Sequence, residues 1–227
     1  MPESTLGILN FLFASLLAAA HILGPKLYNH LRTLESGTAE AAFTSFGGGI
    51  AIAYVFLELI PELSAGHHHA LAFVAFLLVL CMERIAAGKS GGNEDDASYP
   101  LRLMLIFLYT ALTTATFHKH GELGAARLAI FVVAVLLHTL GSGHALHHSH
   151  AKAHSGYGRF VLAAGAFAGG GFALYWPPEE ELIGVLIAAL AGFLLRAAFS
   201  KELAAAEDSR AFFTGAVLFG LVLLWLV

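Results

Sequence analysis

The side chains of this chain that bind metal ions most readily are histidines, of which there are 13 among 227 residues. Neutral imidazole is a common ligand of zinc, copper and nickel, and it can also relay protons near neutral pH. One histidine, His138, interrupts an apolar run, and two groups stand apart from it. The groups are His67, His68 and His69, and then His144, His147, His148 and His150. We predict that both groups contact metal ions, the alternative being ordinary polar loops.

His138 lies in the middle of the apolar segment Leu128–Leu146, at a depth where a membrane-spanning helix is dry. Ionisable side chains are costly at that depth, so they are functional candidates by default. We predict that His138 binds a metal ion or relays a proton, and the alternative is a histidine that hydrogen-bonds to a neighbouring helix. Ser142 is one turn further on and shares the face of His138, which makes it a hydrogen-bond partner rather than a transition-metal ligand.

Two carboxylates, Glu58 and Glu62, end another apolar segment and are spaced to share a helical face. Pro61 lies between them and has no backbone N–H group, so it loosens the helix there. We predict that the two carboxylates form an entrance that attracts cations and can hold metal ions. The alternative is that Glu62 lies at the membrane interface and Glu58 pairs with a nearby hydroxyl or histidine.

A run of hydroxyl groups on a further apolar segment suggests a polar path through the membrane. Its members are Tyr109, Thr110, Thr113 and Thr114. Together with Ser142, these side chains are predicted to line a pore. Threonines in membrane helices also form hydrogen bonds between helices, and that alternative stays open.

Composition indicates the class of protein that carries these residues. The chain is 58% hydrophobic and 12% charged, with a mean hydropathy of +0.75, which is more apolar surface than a soluble domain of this length can bury. We therefore predict an all-α integral membrane protein that forms a single domain in the lipid bilayer. A spanning helix needs about 20 apolar residues. Eight segments approach this length, namely Leu6–Leu23, Thr44–Pro61, Ala70–Ala87, Leu101–Phe117, Leu128–Leu146, Phe160–Trp176, Leu182–Phe199 and Ala211–Val227.

Charge predicts the orientation of these eight spans. Of the 12 lysines and arginines, only Lys119 and Arg127 fall in or beside the connections after spans two, four and six. The others flank the connections after spans one, three, five and seven. Because cytoplasmic loops are enriched in lysine and arginine, both termini are predicted to lie on the outer, non-cytoplasmic side. The compact chain and its short loops favour a bacterial inner membrane.

Other chemistry is not indicated by the sequence. The chain has no Gly-x-x-x-x-Gly-Lys-Ser/Thr, Gly-x-Ser-x-Gly or His-Glu-x-x-His motif, so neither enzyme activity nor a required cofactor is predicted. Its basic residues form no patch of the kind that binds nucleic acid. The single cysteine, Cys81, excludes a disulfide framework within the chain.

Two stretches resemble the ZIP (Zrt/Irt-like) family of divalent metal transporters. Thr44–Glu62 is similar to the family's second span, with its glycine-rich start and Glu-Leu-x-Pro-Glu finish. Leu186–Glu202 and the terminal Gly-x-x-x-x-Gly run resemble its last two spans. The resemblance implies an eight-helix ZIP-like bundle, usually a homodimer, that moves zinc or a similar divalent cation toward the cytoplasm. It also implies an elevator-like motion of one helix bundle against another.

The residues at the family's transport site differ in this chain. The family's fourth span carries His-Asn-x-x-Asp/Glu, where this chain has Tyr109, Thr110 and Thr113. Of the His-x-x-Pro-Glu motif in the fifth span, only His138 is matched. The resemblance thus implies a divergent member with a reduced two-metal site. Two other functions stay open, a non-transporting metal sensor or scaffold in the membrane and an electron-transfer protein with a b-type haem between intramembrane histidines.

Overall fold

The computed structural model describes residues 3–34, 38–66, 68–88, 98–122, 124–197 and 208–226. All regular secondary structure in these ranges is helical, as the sequence predicts. The elements are α1 (Glu3–Leu34), α2 (Thr38–Tyr54), a first π-turn (Val55–Leu59), α3 (Ile60–Gly66), α4 (His69–Gly88), α5 (Tyr99–Ala115), α6 (Phe117–Glu122), α7 (Ala125–Ser149), α8 (Ala151–Ala153), a second π-turn (His154–Gly158), α9 (Arg159–Tyr175), α10 (Glu180–Ala197) and α11 (Ser209–Leu226).

Each predicted span coincides with helix over nearly all of its described residues, which confirms the helical class. Within the described ranges, four helices are long and apolar enough to cross a membrane. They are Thr5–Leu27, Ala41–Leu63, Tyr99–Glu122 and Ala125–His147, and Ser209–Trp225 is a shorter apolar helix. Large apolar side chains such as Phe11, Leu78 and Trp225 are exposed, as expected on surfaces that face lipid. These features are those of a helical membrane protein, and the count of eight spans and their orientation remain predictions.

The helices α1 and α7 both continue past the predicted ends of their spans. α1 continues through Pro25 to Leu34, although the first predicted span ends at Leu23. A proline removes one backbone hydrogen bond, and the turns on either side of it are rich enough in helix-forming residues to keep the helix intact. α7 runs to Ser149 and ends at His150, whose φ of −141° is not helical. The second histidine group therefore lies largely on the last turns of α7.

The helices pack into one group of four and two pairs. In the four-helix group, α9 packs along both α1 and α5, and α7 packs on α1. The α2–α11 pair lies against α7, and the α4–α10 pair lies against α5. The site residues predicted on α5 and α7 therefore lie where the four-helix group meets the two pairs.

Glycine permits the closest backbone contacts inside these units. A Cβ atom added at Gly169 on α9 would overlap the carbonyl oxygen of Ala111 on α5. A Cβ atom added at Gly49 on α2 would likewise overlap the carbonyl oxygen of Phe212 on α11. Small residues allow helix axes to approach closely in this way, and both contacts join helices of the same unit.

The apolar core lies between the four-helix group and the two pairs. Leu17, Phe131 and Leu190 are fully buried there and come from α1, α7 and α10. A smaller apolar cluster around Tyr99 and Leu162 joins the start of α5 to α9. The larger apolar core surrounds the middle of α7, so its side chains form the surroundings of the predicted site.

Candidate cation-binding site

A cavity of about 80 Å³ lies between α4, α5, α7 and α10, where the four-helix group meets the α4–α10 pair. We call it the His138 cavity. Its polar lining residues are Glu83, Tyr109, His138, Ser142 and Arg196. Its apolar lining residues are Val79, Leu105, Ile106, Phe193 and Ala197. A space of this size holds a few water molecules or a partly hydrated cation.

His138 is buried at the wall of this cavity, with 6% of its surface exposed. Its Nε2 atom lies 3.3 Å from the hydroxyl oxygen of Ser142, one turn further along α7. The ring of Tyr109 on α5 meets the imidazole edge-on, with 5.1 Å between the ring centroids. Ser142 is thus a hydrogen-bond neighbour of His138, as its spacing predicts, and Tyr109 approaches the same imidazole from another helix.

An ion pair between Glu83 on α4 and Arg196 on α10 completes the polar lining. Arg196 donates through Nη2 to Oε2 of Glu83, and the two side chains are 13% and 28% exposed, respectively. The Nε atom of Arg196 is buried and has no hydrogen-bond partner. Neither residue was predicted to belong to a site, and Arg196 contributed only to the predicted orientation of the spans. The signal that could have found the pair is a carboxylate within an apolar helix, which requires a partner.

A second cavity of about 50 Å³ adjoins the first and is lined in part by Arg102, Ala145 and Ser149. Glu83 and Ile106 line both cavities, so the two spaces are neighbours. Since Ser149 is the last residue of α7, the two cavities together reach from the middle of α7 to its end. We call this end of the molecule the Glu83 end.

The threonines predicted to line a pore lie elsewhere on α5. Thr110, Thr113 and Thr114 are fully buried and do not line the cavity. Each hydroxyl donates to a backbone carbonyl one turn earlier on the same helix. The hydroxyl oxygen of Thr110 also lies 3.2 Å from Nε2 of His21 on α1. Of the hydroxyl run on α5, Tyr109 therefore faces the cavity, and the threonines satisfy their hydrogen bonds within the helix bundle.

Glu58 and Glu62 lie at the opposite end of α7, which we call the Glu58 end. Glu58 Oε1 lies 3.7 Å from Nη1 of Arg127, in the first turn of α7. The side chain of Glu58 is 9% exposed and that of Arg127 is 32% exposed. The Oε2 atom of Glu62 is buried and has no hydrogen-bond partner. Both predicted carboxylates are therefore partly withdrawn from solvent, and Glu58 already has a cationic partner.

The first π-turn, Val55–Leu59, contains Glu58. Pro61 follows it and cannot donate a backbone hydrogen bond, and its ring would clash with the carbonyl group four residues earlier in a regular α-helix. A wider turn relieves that clash, and π-turns occur frequently at functional sites. The altered backbone geometry carries the carboxylate of Glu58 into contact with α7.

Tyr54 and His120 form a buried polar contact that the sequence analysis did not identify. Tyr54 directly precedes the first π-turn, and its hydroxyl oxygen lies 3.5 Å from each ring nitrogen of His120. The two residues are 2% and 1% exposed, respectively. The His120 ring also stacks on Phe131, with 4.0 Å between the centroids. This contact places an imidazole in the core beside the π-turn. The feature of the sequence that could have predicted it is a histidine close to the end of a predicted span.

The second histidine group is distributed around α7 and does not gather at one point. His144 and His147 are half-buried on α7, and His150 is buried at its end. The ring of His150 packs on Tyr99, with 5.0 Å between centroids. The side chain of His148 lies outside the described part of the structure. The group therefore lies at the Glu83 end, with its members directed toward different neighbours.

His154, in the second π-turn, is the most deeply buried imidazole near this group, at 1% exposure. Its ring lies 5.8 Å from that of His147, and its Nδ1 atom is buried without a hydrogen-bond partner. Burial, with His147 and Arg159 nearby, lowers the pKa of His154 from 6.5 to about 4. His154 is therefore neutral near pH 7.

The first histidine group is described in part. His67 lies outside the described residues. His68 packs against the start of α10, because a Cβ atom added at Gly184 would lie 2.6 Å from its Cε1 atom. His69 begins α4 and is exposed. The described members of this group therefore lie beside the first turn of α4 and face different surroundings.

The described side chains do not form a preassembled metal centre. Among the residues that the structure describes, no three His, Cys, Asp or Glu side chains come close enough to hold one metal ion. The His138 cavity instead combines one imidazole, two hydroxyls and one carboxylate that is paired with an arginine. Such a set can bind a cation weakly, with water completing its coordination, and can release it readily.

Comparison with known proteins gives no match to a family model, to a curated protein or to a solved structure. The functional conclusion therefore depends on the chemistry of the cavity, on the charges at its two ends and on the arrangement of the helices around it.

Proposed function

We propose that this protein is an eight-span membrane transporter for a divalent cation such as zinc, similar to the ZIP family but with a reduced metal site. The observation that carries the proposal is the His138 cavity. It holds an imidazole, a phenol and a hydroxyl in the interior of a helical membrane protein, at the boundary between two helix units. Polar groups at that depth are costly unless they serve a pathway or a partner.

The distribution of lysine and arginine supports a direction for the pathway. Arg84, Arg102 and Arg196 lie at the Glu83 end, and Lys119 and Arg127 lie at the Glu58 end. With the more basic end in the cytoplasm, the Glu58 end faces outward and the cavity leads from His138 toward the cytoplasm. Transport is then inward, into a cell whose inner membrane holds the protein as a homodimer.

The helix packing supports a motion of rigid units. The closest backbone contacts, at Gly49 and Gly169, lie within units. At the boundary between α2 and α7, a Cβ atom added at Gly47 would lie 3.3 Å from the carbonyl oxygen of Leu137, which is a looser contact. The four-helix group can therefore shift against the two pairs with less disruption than a shift inside a unit would cause.

The hydrogen bond between His138 and Ser142 sets what the imidazole offers to a cation. When Nε2 carries the proton and donates to the Ser142 hydroxyl, the lone pair of the neutral imidazole is on Nδ1. With the family's carboxylates replaced by Tyr109 and threonines, the site supplies less negative charge than a two-metal centre. We infer a single, loosely held cation that exchanges quickly.

Zinc uptake into proteoliposomes tests the proposal, with the initial rate compared between the wild type and His138→Ala. Loss of a metal ligand should reduce the rate at least as much as loss of an outer-shell partner, about 10–100-fold. His118→Ala is the matched control, because His118 forms a surface contact of 3.3 Å with Glu122 outside the cavity. Absence of zinc flux by the wild type, or an equal rate for His138→Ala and the control, would refute the proposal.

A second candidate is a metal-binding sensor or scaffold that does not transport. It is favoured by the replacement of the family's carboxylates by Tyr109 and by threonines that are buried away from the cavity. In that case zinc bound to the purified protein should depend on His144, His147, His148 and His150 and not on His138. Metal content of His138→Ala beside a variant with those four residues replaced by alanine separates the two functions.

A further inference from the structure

Glu83 and Arg196 are the part of the His138 cavity that the proposed function leaves without a role. We propose that Glu83 is the carboxylate to which a divalent cation binds between His138 and the Glu83 end. We further propose that Arg196 is a tethered cation that occupies this carboxylate when the metal ion is absent. The inference rests on the proposed function, because it assigns the inner part of the same cation pathway.

The position of Glu83 makes it the natural receiver of a cation that leaves His138. It lines both cavities, and among the described residues that line them it is the only acidic one. Divalent cations such as zinc need negative charge or strong dipoles when they lose hydration water. The acidic groups missing from α5 and α7 in comparison with the ZIP pattern are therefore compensated, in part, by a carboxylate that α4 brings to the same space.

The contact between Arg196 and Glu83 is suited to exchange. Arg196 contacts Oε2 of Glu83 through Nη2, and its Nε atom is buried without a partner. An arginine bound to a carboxylate by two parallel hydrogen bonds would satisfy more of its donors and hold more strongly. Leaving a buried donor unsatisfied weakens the paired state, so a competing cation displaces this guanidinium more easily than one whose Nε atom is also bound.

The position of Arg196 also allows its guanidinium to move into water when a cation displaces it. It lies in the last turn of α10, at the more basic end of the molecule. A long arginine side chain near a helix end can extend its guanidinium to water while its stem stays on apolar surface. A divalent cation bound at Glu83 would therefore take the place of the guanidinium, and the return of Arg196 would help to release it.

Zinc binding to the purified protein in detergent, measured by titration calorimetry, tests the exchange. Arg196→Gln removes the competitor, so zinc should bind about tenfold more tightly, since an interaction with a charged group of this kind is worth about one factor of ten or more. Adding Glu83→Gln to this variant should abolish the gain. Arg84→Gln is the matched control, because Arg84 is the next residue on α4 and is exposed.

Equal zinc affinities of Arg196→Gln and Arg84→Gln would overturn the inference, and so would a gain that persists in the double variant. If Arg196→Gln does not fold, infrared difference spectra of the wild type decide the question. A zinc-dependent shift of a carboxylate stretching band that Glu83→Gln lacks supports the inference, and the absence of such a band overturns it. Zinc flux is measured separately, so a wild type that binds zinc at Glu83 but does not transport it refutes the proposed function alone.

Discussion

Gly169→Ala tests the packing of α9 on α5, the helix that carries Tyr109 into the cavity. An added Cβ atom would overlap the carbonyl oxygen of Ala111 and lie 2.7 Å from its carbonyl carbon, where ordinary contact begins at 3.4 Å. The Cβ atom would also overlap the hydroxyl oxygen of Thr114, which can rotate, but the two Ala111 atoms belong to the backbone, so the helices must separate. Overpacking a close-packed interior costs about 1–3 kcal/mol, and we expect a cost at the upper end of that range.

The assay is thermal unfolding of the purified protein in detergent, followed by circular dichroism. For a chain of 227 residues, a loss of about 3 kcal/mol lowers Tm by roughly 6–12 °C. Gly171→Ala is the matched control on the same helix, because its Cβ atom would have no neighbour within 4 Å. Replacing an unhindered helical glycine by alanine stabilises a protein by about 0.5–1 kcal/mol, so the Tm of the control should equal or exceed that of the wild type. Equal Tm values for the two variants would refute the contact between α9 and α5.

Two further predictions concern charge. The pKa of the His154 imidazole is about 4 in the folded state and 6.5 in the unfolded state. In metal-free protein, its contribution to the free energy of unfolding is therefore complete above pH 6.5 and is lost as the pH falls toward 4. His154→Gln should therefore make Tm fall less steeply over this pH range, and His118→Gln should not. Identical curves of Tm against pH for the two variants would contradict the role of His154. At the Glu58 end, Arg127→Gln removes the partner of Glu58 and should lower KM for zinc uptake by about two- to fivefold, as expected for a partly exposed ion pair. Arg210→Gln, an exposed control on α11, should leave KM within about twofold, and an increase in KM for Arg127→Gln would contradict the reasoning.

The features that could be predicted from the sequence are those that depend on local spacing. Long apolar segments require helices, and the segment Thr44–Pro61 is helical throughout, with the π-turn placed where Pro61 disturbs the regular pattern. The contact between His138 and Ser142 follows from the geometry of one helical turn. These predictions need no knowledge of which helices are neighbours.

The features that could not be predicted depend on packing between distant segments. Glu83 and Arg196 are far apart in the sequence, and only the packing of α4 on α10 brings them together beside His138. From the sequence, the hydroxyls on α5 were equally suited to line a pore or to lie inside the helix bundle. Their position depends on which face of α5 is covered by α1 and α9. His154 became a neighbour of His147 because the second π-turn folds back against α7.

The ion pairs at the two ends of the molecule differ in the boundary that they cross. Glu58 and Arg127 join the segment that continues α2 to α7 of the four-helix group, and Lys119 similarly reaches Glu180 on α10, at 3.7 Å. Those contacts tie the units together at the Glu58 end. At the Glu83 end, Glu83 and Arg196 join α4 to α10 within one pair, and the boundary with α5 and α7 is occupied by cavities.

Under the proposed transport, this asymmetry corresponds to a state that is closed on the outer side and accessible from the inner side. Opening the outer side requires the contacts of Arg127 and Lys119 to break, whereas the pair between Glu83 and Arg196 can remain intact while the units move. Charges at the Glu58 end should then shift the equilibrium between outward- and inward-facing states, and so change the apparent affinity for external cation. Charge at Arg196 should change the intrinsic affinity of the inner site, which is why the two arginines are tested by different measurements.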